Sequence, residues 1–118
     1  MTKVVFLKSG GVFCGFEEHG HTGYGDEGSD ILCAALSSMT MLVINAIEVA
    51  YASEVEYTVD DKTADIKVVA KGALEKFEKD EKKRYAVAGI ITAYYYQLND
   101  LTEEYYDFLS VEEQEIEL

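Results

Sequence analysis

The sequence predicts an α+β fold, a two-layer sandwich in which a small mixed sheet carries two helices on one face, in the order β-β-α-β-β-α. Three observations point there. Paired runs rich in β-branched residues occur twice around turn residues, and each pair is followed by an apolar stretch of helical length. The third is size: 118 residues support one hydrophobic core and hardly two, so residues 1–118 are expected to form a single domain.

The first two strands are read at residues 3–8 and 12–18. They flank Ser9-Gly10-Gly11, whose glycines permit the positive φ angles of a tight hairpin turn. A glycine-rich loop follows, Gly20-His21-Thr22-Gly23-Tyr24-Gly25-Asp26-Glu27-Gly28, and Ser29 or Asp30 is placed to cap a long helix ending near Ala52. Residues 31–52 have the length of a membrane span. They contain Ser37, Ser38, Thr40, Asn45 and Glu48 and lack flanking basic anchors, so a buried core helix is expected instead.

A second hairpin is expected from residues 54–59 and 64–71 around Asp60-Asp61-Lys62. The second helix follows, charged and amphipathic over 73–84 and apolar almost all round over 85–98. One sheet and one partner helix cover only part of such a surface, which predicts a homodimer. Residues 101–109 add a further helical turn or two, and 110–118 form either an edge strand or an acidic tail.

Charge narrows the function classes. The chain has 23 acidic and 10 basic side chains, net -13, and residues 85–118 carry none of the basic ones. Non-specific attraction to nucleic acid or to anionic lipid needs clustered Lys and Arg, so neither partner is expected and a cationic one suits the chain better. No secretory signal is read at the N-terminus, because the apolar run 4–7 is too brief. Both cysteines are then expected to be reduced thiols, and no metal or cofactor is expected.

The glycine-rich loop contains a literal G-x-G-x-x-G from Gly23 to Gly28 between a predicted strand and a predicted helix. It is not a dinucleotide site on this reading. The preceding strand belongs to a hairpin rather than a parallel βαβ unit, and Asp26 and Glu27 would repel a pyrophosphate. Long glycine-rich loops in small domains are often lids, although these glycines would also serve plain chain reversal.

Cys33 is read in the first turn of the apolar helix, where the dipole and the unpaired N–H groups favour thiolate. That position suits a nucleophile, yet a free cysteine equally often packs as a small hydrophobe. Cys14, in a strand, is read as core. A cysteine nucleophile needs a base that titrates near neutrality, and the chain offers His19 and His21, of which His21 lies inside the loop and has more freedom to reach the helix start. Asp30 could cap the helix, orient a histidine, or both. Ser37, at i+4 from Cys33, shares its face and could hydrogen-bond in a site or merely to backbone or solvent.

Gly20-His21-Thr22-Gly23-Tyr24, followed by Gly28-Ser29-Asp30-Ile31-Leu32-Cys33-Ala34-Ala35 and Ser37, resembles the two-part motif of the ribosomal-processing cysteine protease family, Prp. The twelve positions from His21 to Cys33 agree, and residues 102–109 resemble the family's closing segment, so the likeness spans nearly the whole chain. The resemblance implies a cytoplasmic endopeptidase that removes a short N-terminal extension from the twenty-seventh protein of the large ribosomal subunit. It implies Cys33 as nucleophile and His21 as general base, with Asp30 and Ser37 in supporting positions. The loop glycines Gly20, Gly23, Gly25 and Gly28, with Tyr24, would order around the extended peptide. His19 and Cys14 match no functional position of the family. A non-catalytic assembly factor or chaperone for a basic ribosomal protein is the alternative of a different class, which binding without turnover would distinguish.

Overall fold

The computed structural model describes residues 1–20, 27–63 and 65–118. Strands β1 (Thr2–Ser9) and β2 (Val12–His19) form the first hairpin, and helix α1 (Glu27–Asn45) continues into a π-helical turn, Ala46–Ala50. A second hairpin, β3 (Glu56–Val59) and β4 (Ile66–Val69), leads through a short 3-10 turn at Lys71–Ala73 to helix α2 (Glu81–Glu104) and a final strand, β5 (Leu109–Glu115). The sheet order is β3-β4-β2-β1-β5. Its pairings are antiparallel except β1 with β5, which run parallel from Thr2 opposite Leu109 to Lys8 opposite Glu115. The α+β mixed sheet is thus as predicted, and of the two readings of the C-terminus the edge strand is the one found.

Both helices lie on one face. Thr40 of α1 and Tyr94 of α2 donate hydrogen bonds to the same carboxylate, that of Glu18 on β2, which requires both helices to cover the side of the sheet where Glu18 points. Phe6 and Phe16 are directly paired across β1 and β2 and meet the Tyr94 ring edge-on, at centroid distances of 5.7 and 5.0 Å. Edge-to-face packing of this kind adds to simple area burial.

Phe13 joins this aromatic layer, 4.6 Å from Tyr95 and 6.0 Å from Phe6. Alternation alone would put Phe13 and Phe16 on opposite faces, being an odd number of residues apart. The β1–β2 register shifts at Leu7/Lys8, so that Leu7 faces Gly15 while Lys8 faces Phe13, and Cys14 is the extra residue of a bulge. The Cys14 thiol is buried and donates to the Leu7 carbonyl at 3.6 Å. Gly15 beside it is demanded by the sheet, because a Cβ there would run into the Val68 carbonyl of β4.

The second helix starts later than the sequence predicts. Residues 73–80 are not part of it: Asp80 takes the N-cap position and its Oδ1 accepts from the N–H groups of Lys82 (3.0 Å) and Lys83 (3.4 Å). Upstream, Ala73 and Leu74 are buried against the core, which fixes the chain there before the helix begins. At its other end α2 runs on through Glu104, supplying the further turn expected beyond Leu98.

The long apolar stretch is only in part the buried helix predicted. Leu32, Leu36, Val43, Ile44 and Ile47 form its packed stripe with Thr40, whereas Ile31, Met41, Leu42 and Val49 are exposed, Leu42 by 67% and Val49 by 72%. One side of α1 is sufficient to close the core, and the rest of its apolar surface stays outward.

Candidate active site

The candidate site starts from the thiol. Cys33 is partly buried on α1, next to the fully packed Leu32, and Cys14 and Cys33 are both free thiols. The two differ in environment. Burial, aided by the charge of Glu115, pushes the Cys14 thiol up to about 11, which leaves it protonated and inert at neutral pH. The core assignment of Cys14 therefore holds.

The helix start corrects one premise. Because α1 begins at Glu27, Ser29 and Asp30 are its third and fourth residues rather than its cap, and Cys33 is the seventh, in the second turn. Cys33 then lies about 9 Å along the axis from the first helical residue. Ser37, one turn on, is exposed, and Ser37 and Cys33 share a face by spacing.

His21, Gly23, Tyr24 and Gly25 lie outside the described residues, as does the side chain of Asp30, whereas Gly28 is the second residue of α1 and so belongs to the helix rather than to the loop in which it is expected. The structure does describe the residue that precedes His21. Gly20 has φ +82°, and a Cβ there would collide with the Met1 carbonyl, so glycine is required where the chain leaves β2.

His19, the other histidine, is engaged at the end of β2, a strand flanked by β4 and β1. Its Nδ1 faces Asp65 Oδ2 at 3.1 Å and its Nε2 faces Glu17 Oε2 at 3.2 Å. Two acceptors suit an imidazole that donates from both nitrogens, the protonated form, and the Asp65 hydrogen bond chiefly holds the His19 pKa above its usual value. The same bond holds Asp65 below the usual carboxylate range. Asp65 Oδ1 in turn accepts from the Gly20 N–H at 3.3 Å. Sequence reasoning missed Asp65 altogether, since its only signal is β2–β4 pairing, which sets Ile66 opposite Glu18.

Two helices on one face of a five-stranded mixed sheet, with a partly exposed thiol on the first helix, describe a small α+β protein built to present a cysteine. Residues 1–110 match the model of the cysteine protease Prp, and the chain belongs to that family of cysteine proteases.

Solved structures agree on the fold. SMU.848 from Streptococcus mutans is 25% identical with a TM-score of 0.79, the match covering 98% of this chain and 99% of that one. The essential ribosomal processing protease Prp from S. aureus, crystallised in complex with a substrate peptide, is 18% identical with a TM-score of 0.78, covering 97% of this chain and 100% of that one. The same S. aureus protease with a covalently linked product peptide gives a TM-score of 0.73 at 17% identity, with coverage of 97% and 100%. No curated protein matches the sequence.

Proposed function

We propose that this chain is a cytoplasmic cysteine endopeptidase that removes the short N-terminal extension of the twenty-seventh protein of the large ribosomal subunit. The observation that carries the reading is membership of the Prp family together with a Cys33 that is partly exposed on α1 while Cys14 is sealed in the core. The S. aureus protease of the same fold binds a substrate peptide and links covalently to a product peptide, which is what an acyl-transfer cysteine protease does.

In this mechanism His21 takes the proton of the Cys33 thiol, and the thiolate attacks the scissile carbonyl to form a C–S bond. The tetrahedral oxyanion is stabilised by backbone N–H groups. The peptide C–N bond then breaks, with His21 returning its proton to the leaving amine. Water, deprotonated by the same imidazole, hydrolyses the thioester, releases the carboxylate product and restores the thiol. Asp30 and Ser37 take supporting positions, and the loop carrying Gly20, Gly23, Tyr24 and Gly25 orders around the extended peptide, with Gly28 in α1 beside it.

The working protein in this reading is a homodimer. The exposed Leu42 on α1 and Tyr96 on α2, and an apolar groove of about 460 Å³ between the helices lined by Met39, Leu42, Ala46, Ile90 and Ala93, support it. The net charge of -13 suits a basic ribosomal protein as substrate, steering encounter in a manner that weakens as salt is raised.

The test is incubation of the purified protein with its host's ribosomal protein precursor, followed by mass spectrometry of the N-terminus. A shortened product from wild type and none from Cys33→Ala is expected, with His21→Ala inactive and His19→Ala largely active. Binding of the precursor without turnover would favour the non-catalytic chaperone reading instead.

A further inference from the structure

Helix α1 carries apolar side chains on its outward side as well as its inward one. Leu32, Leu36, Val43 and Ile44 are packed, while Ile31, Met41 and Leu42 face outward. Hydrophobic burial is non-directional, so turning such a helix about its axis exchanges one apolar side chain for another and leaves its rotational setting weakly defined. A directed polar contact is what defines it, as a single buried polar residue fixes register in a helical bundle.

Thr40 makes that contact. It is 2% exposed, and its hydroxyl donates to Glu18 Oε1 at 2.8 Å. The acceptor stands inside the sheet, since Glu18 is paired with Val4 of β1 on one side and Ile66 of β4 on the other. A hydrogen bond weakens steeply as its angle is lost, so this one resists a rotation that packing tolerates. The thiol lies on the same stripe of the helix. Cys33 precedes Thr40 by seven residues, which bring an α-helix round to within about 20° of its starting direction, and the fully buried Leu36 lies between them.

We propose that Thr40 is a positioning residue for the nucleophile: its bond to Glu18 sets the rotation of α1 and thereby where the Cys33 thiol points. The proposal rests on the reading of Cys33 as nucleophile. From Cys33 to Thr40 the chain is uninterrupted α-helix about 10 Å long, so a rotation at one residue is carried to the other. At a side-chain radius of about 5 Å, turning the helix by about 10° moves the thiol by about 1 Å, and a displacement of that size costs up to about a hundredfold in rate. Thr40 therefore acts on kcat through α1. Tyr94 donates to the same carboxylate but from α2, which carries no cysteine, so its bond leaves the thiol where it is.

The experiment compares the full chain with Thr40→Val, Thr40→Ser and Tyr94→Phe. It measures kcat and KM on the ribosomal precursor, the rate at which iodoacetamide labels Cys33 without substrate, and the thermal midpoint. Thr40→Val keeps the side chain's shape and removes the donor. It is expected to lower kcat about tenfold with KM within about twofold of wild type, and to change the labelling rate about threefold or more. Thr40→Ser restores the donor and both rates. Tyr94→Phe lowers the midpoint and keeps wild-type kcat. Either rate at its wild-type value in folded Thr40→Val overturns the assignment, as does a folded Thr40→Ser that has lost kcat. Equal losses of kcat in Tyr94→Phe and Thr40→Val also overturn it, showing that lost stability is the cause. If wild type fails to cleave, the protease reading falls, and the labelling rates still decide whether Thr40 sets the thiol.

Discussion

The Tyr94 hydroxyl donates to Glu18 Oε1 at 2.7 Å, and Thr40 Oγ1 donates to the same oxygen at 2.8 Å. The two hydroxyl oxygens are 3.3 Å apart, but each has one hydrogen and both are spent on the carboxylate. A fully buried acid thereby ties β2 to both helices, and burial together with the negative charge of Glu18 pushes the Tyr94 pKa well above its usual value. The phenol stays a donor throughout the physiological range.

Tyr94→Phe removes one donor and leaves the ring in place against Phe6 and Phe16. The expected loss is about 1.5–3 kcal/mol, the range for hydrogen bonds to charged groups, read by urea unfolding as a lower midpoint with an unchanged slope. A midpoint equal to wild type would mean that the bond adds nothing to the fold.

The two thiols differ in reactivity. With iodoacetamide near pH 8, native protein is expected to gain a single adduct, on Cys33, while Cys14, buried and pushed up to about 11, reacts only after denaturation. Peptide mapping that finds Cys14 modified first contradicts the assignment of these environments.

The charged cluster of His19, Asp65, Glu17 and Lys67 predicts a pH dependence whose sign follows from the two shifts. His19 is raised from its ordinary 6.5, so its contribution is complete below that value and is lost as pH rises through the raised one. Asp65 is lowered from 3.8, so its contribution is complete above that value and is lost only as pH falls through the lowered one. The cluster is thus most stabilising between about pH 4 and 6.5. The thermal midpoint difference between wild type and His19→Ala should be larger near pH 5.5 than near pH 8.5, and smaller in high salt. A flat or inverted difference contradicts it.

Asp80→Ala leaves the Lys82 and Lys83 N–H groups without their side-chain acceptor at the start of α2. The expected cost is about 1 kcal/mol, measured by denaturant unfolding, with Asp80→Ser recovering most of it. Full stability in the alanine variant would show that water caps this end equally well.

Much of the fold was legible because its signals are local. Ser9-Gly10-Gly11 between two β-branched runs announces a hairpin, and Gly10 and Gly11 indeed have φ of +57° and +80°. The start of α2 was not, since residues 73–80 carry a helical pattern and the decision between Ala73 and Asp80 rests on the burial of Ala73 and Leu74. The bulge at Cys14 was equally hidden. No residue there is unusual, and the shift becomes visible only when Leu7 and Lys8 are laid against Gly15 and Phe13.

For the site, spacing was informative where the chemistry lies in one segment. The motif around Cys33 and Ser37 is contiguous in the chain, and helical periodicity alone places both on one face. Asp65 was beyond reach because it lies 45 residues from Gly20, and nothing in a run of acidic turn residues singles it out. His19 was read as a bystander beside His21. Its side chain turns out to be committed to Asp65 and Glu17, a choice made by the neighbouring strand.

The sequence by itself determined the α+β class, the two hairpins, the family and the thiol at Cys33, because each depends on turn chemistry, periodicity or a short contiguous motif. Tertiary structure alone decided the parallel docking of β5 on β1, the burial of Glu18 between Thr40 and Tyr94, and the grip of Asp65 on Gly20. Those are contacts between distant segments, set by which strands pair and in what register, and a slip of one residue in β2 would turn Glu18 to the opposite face.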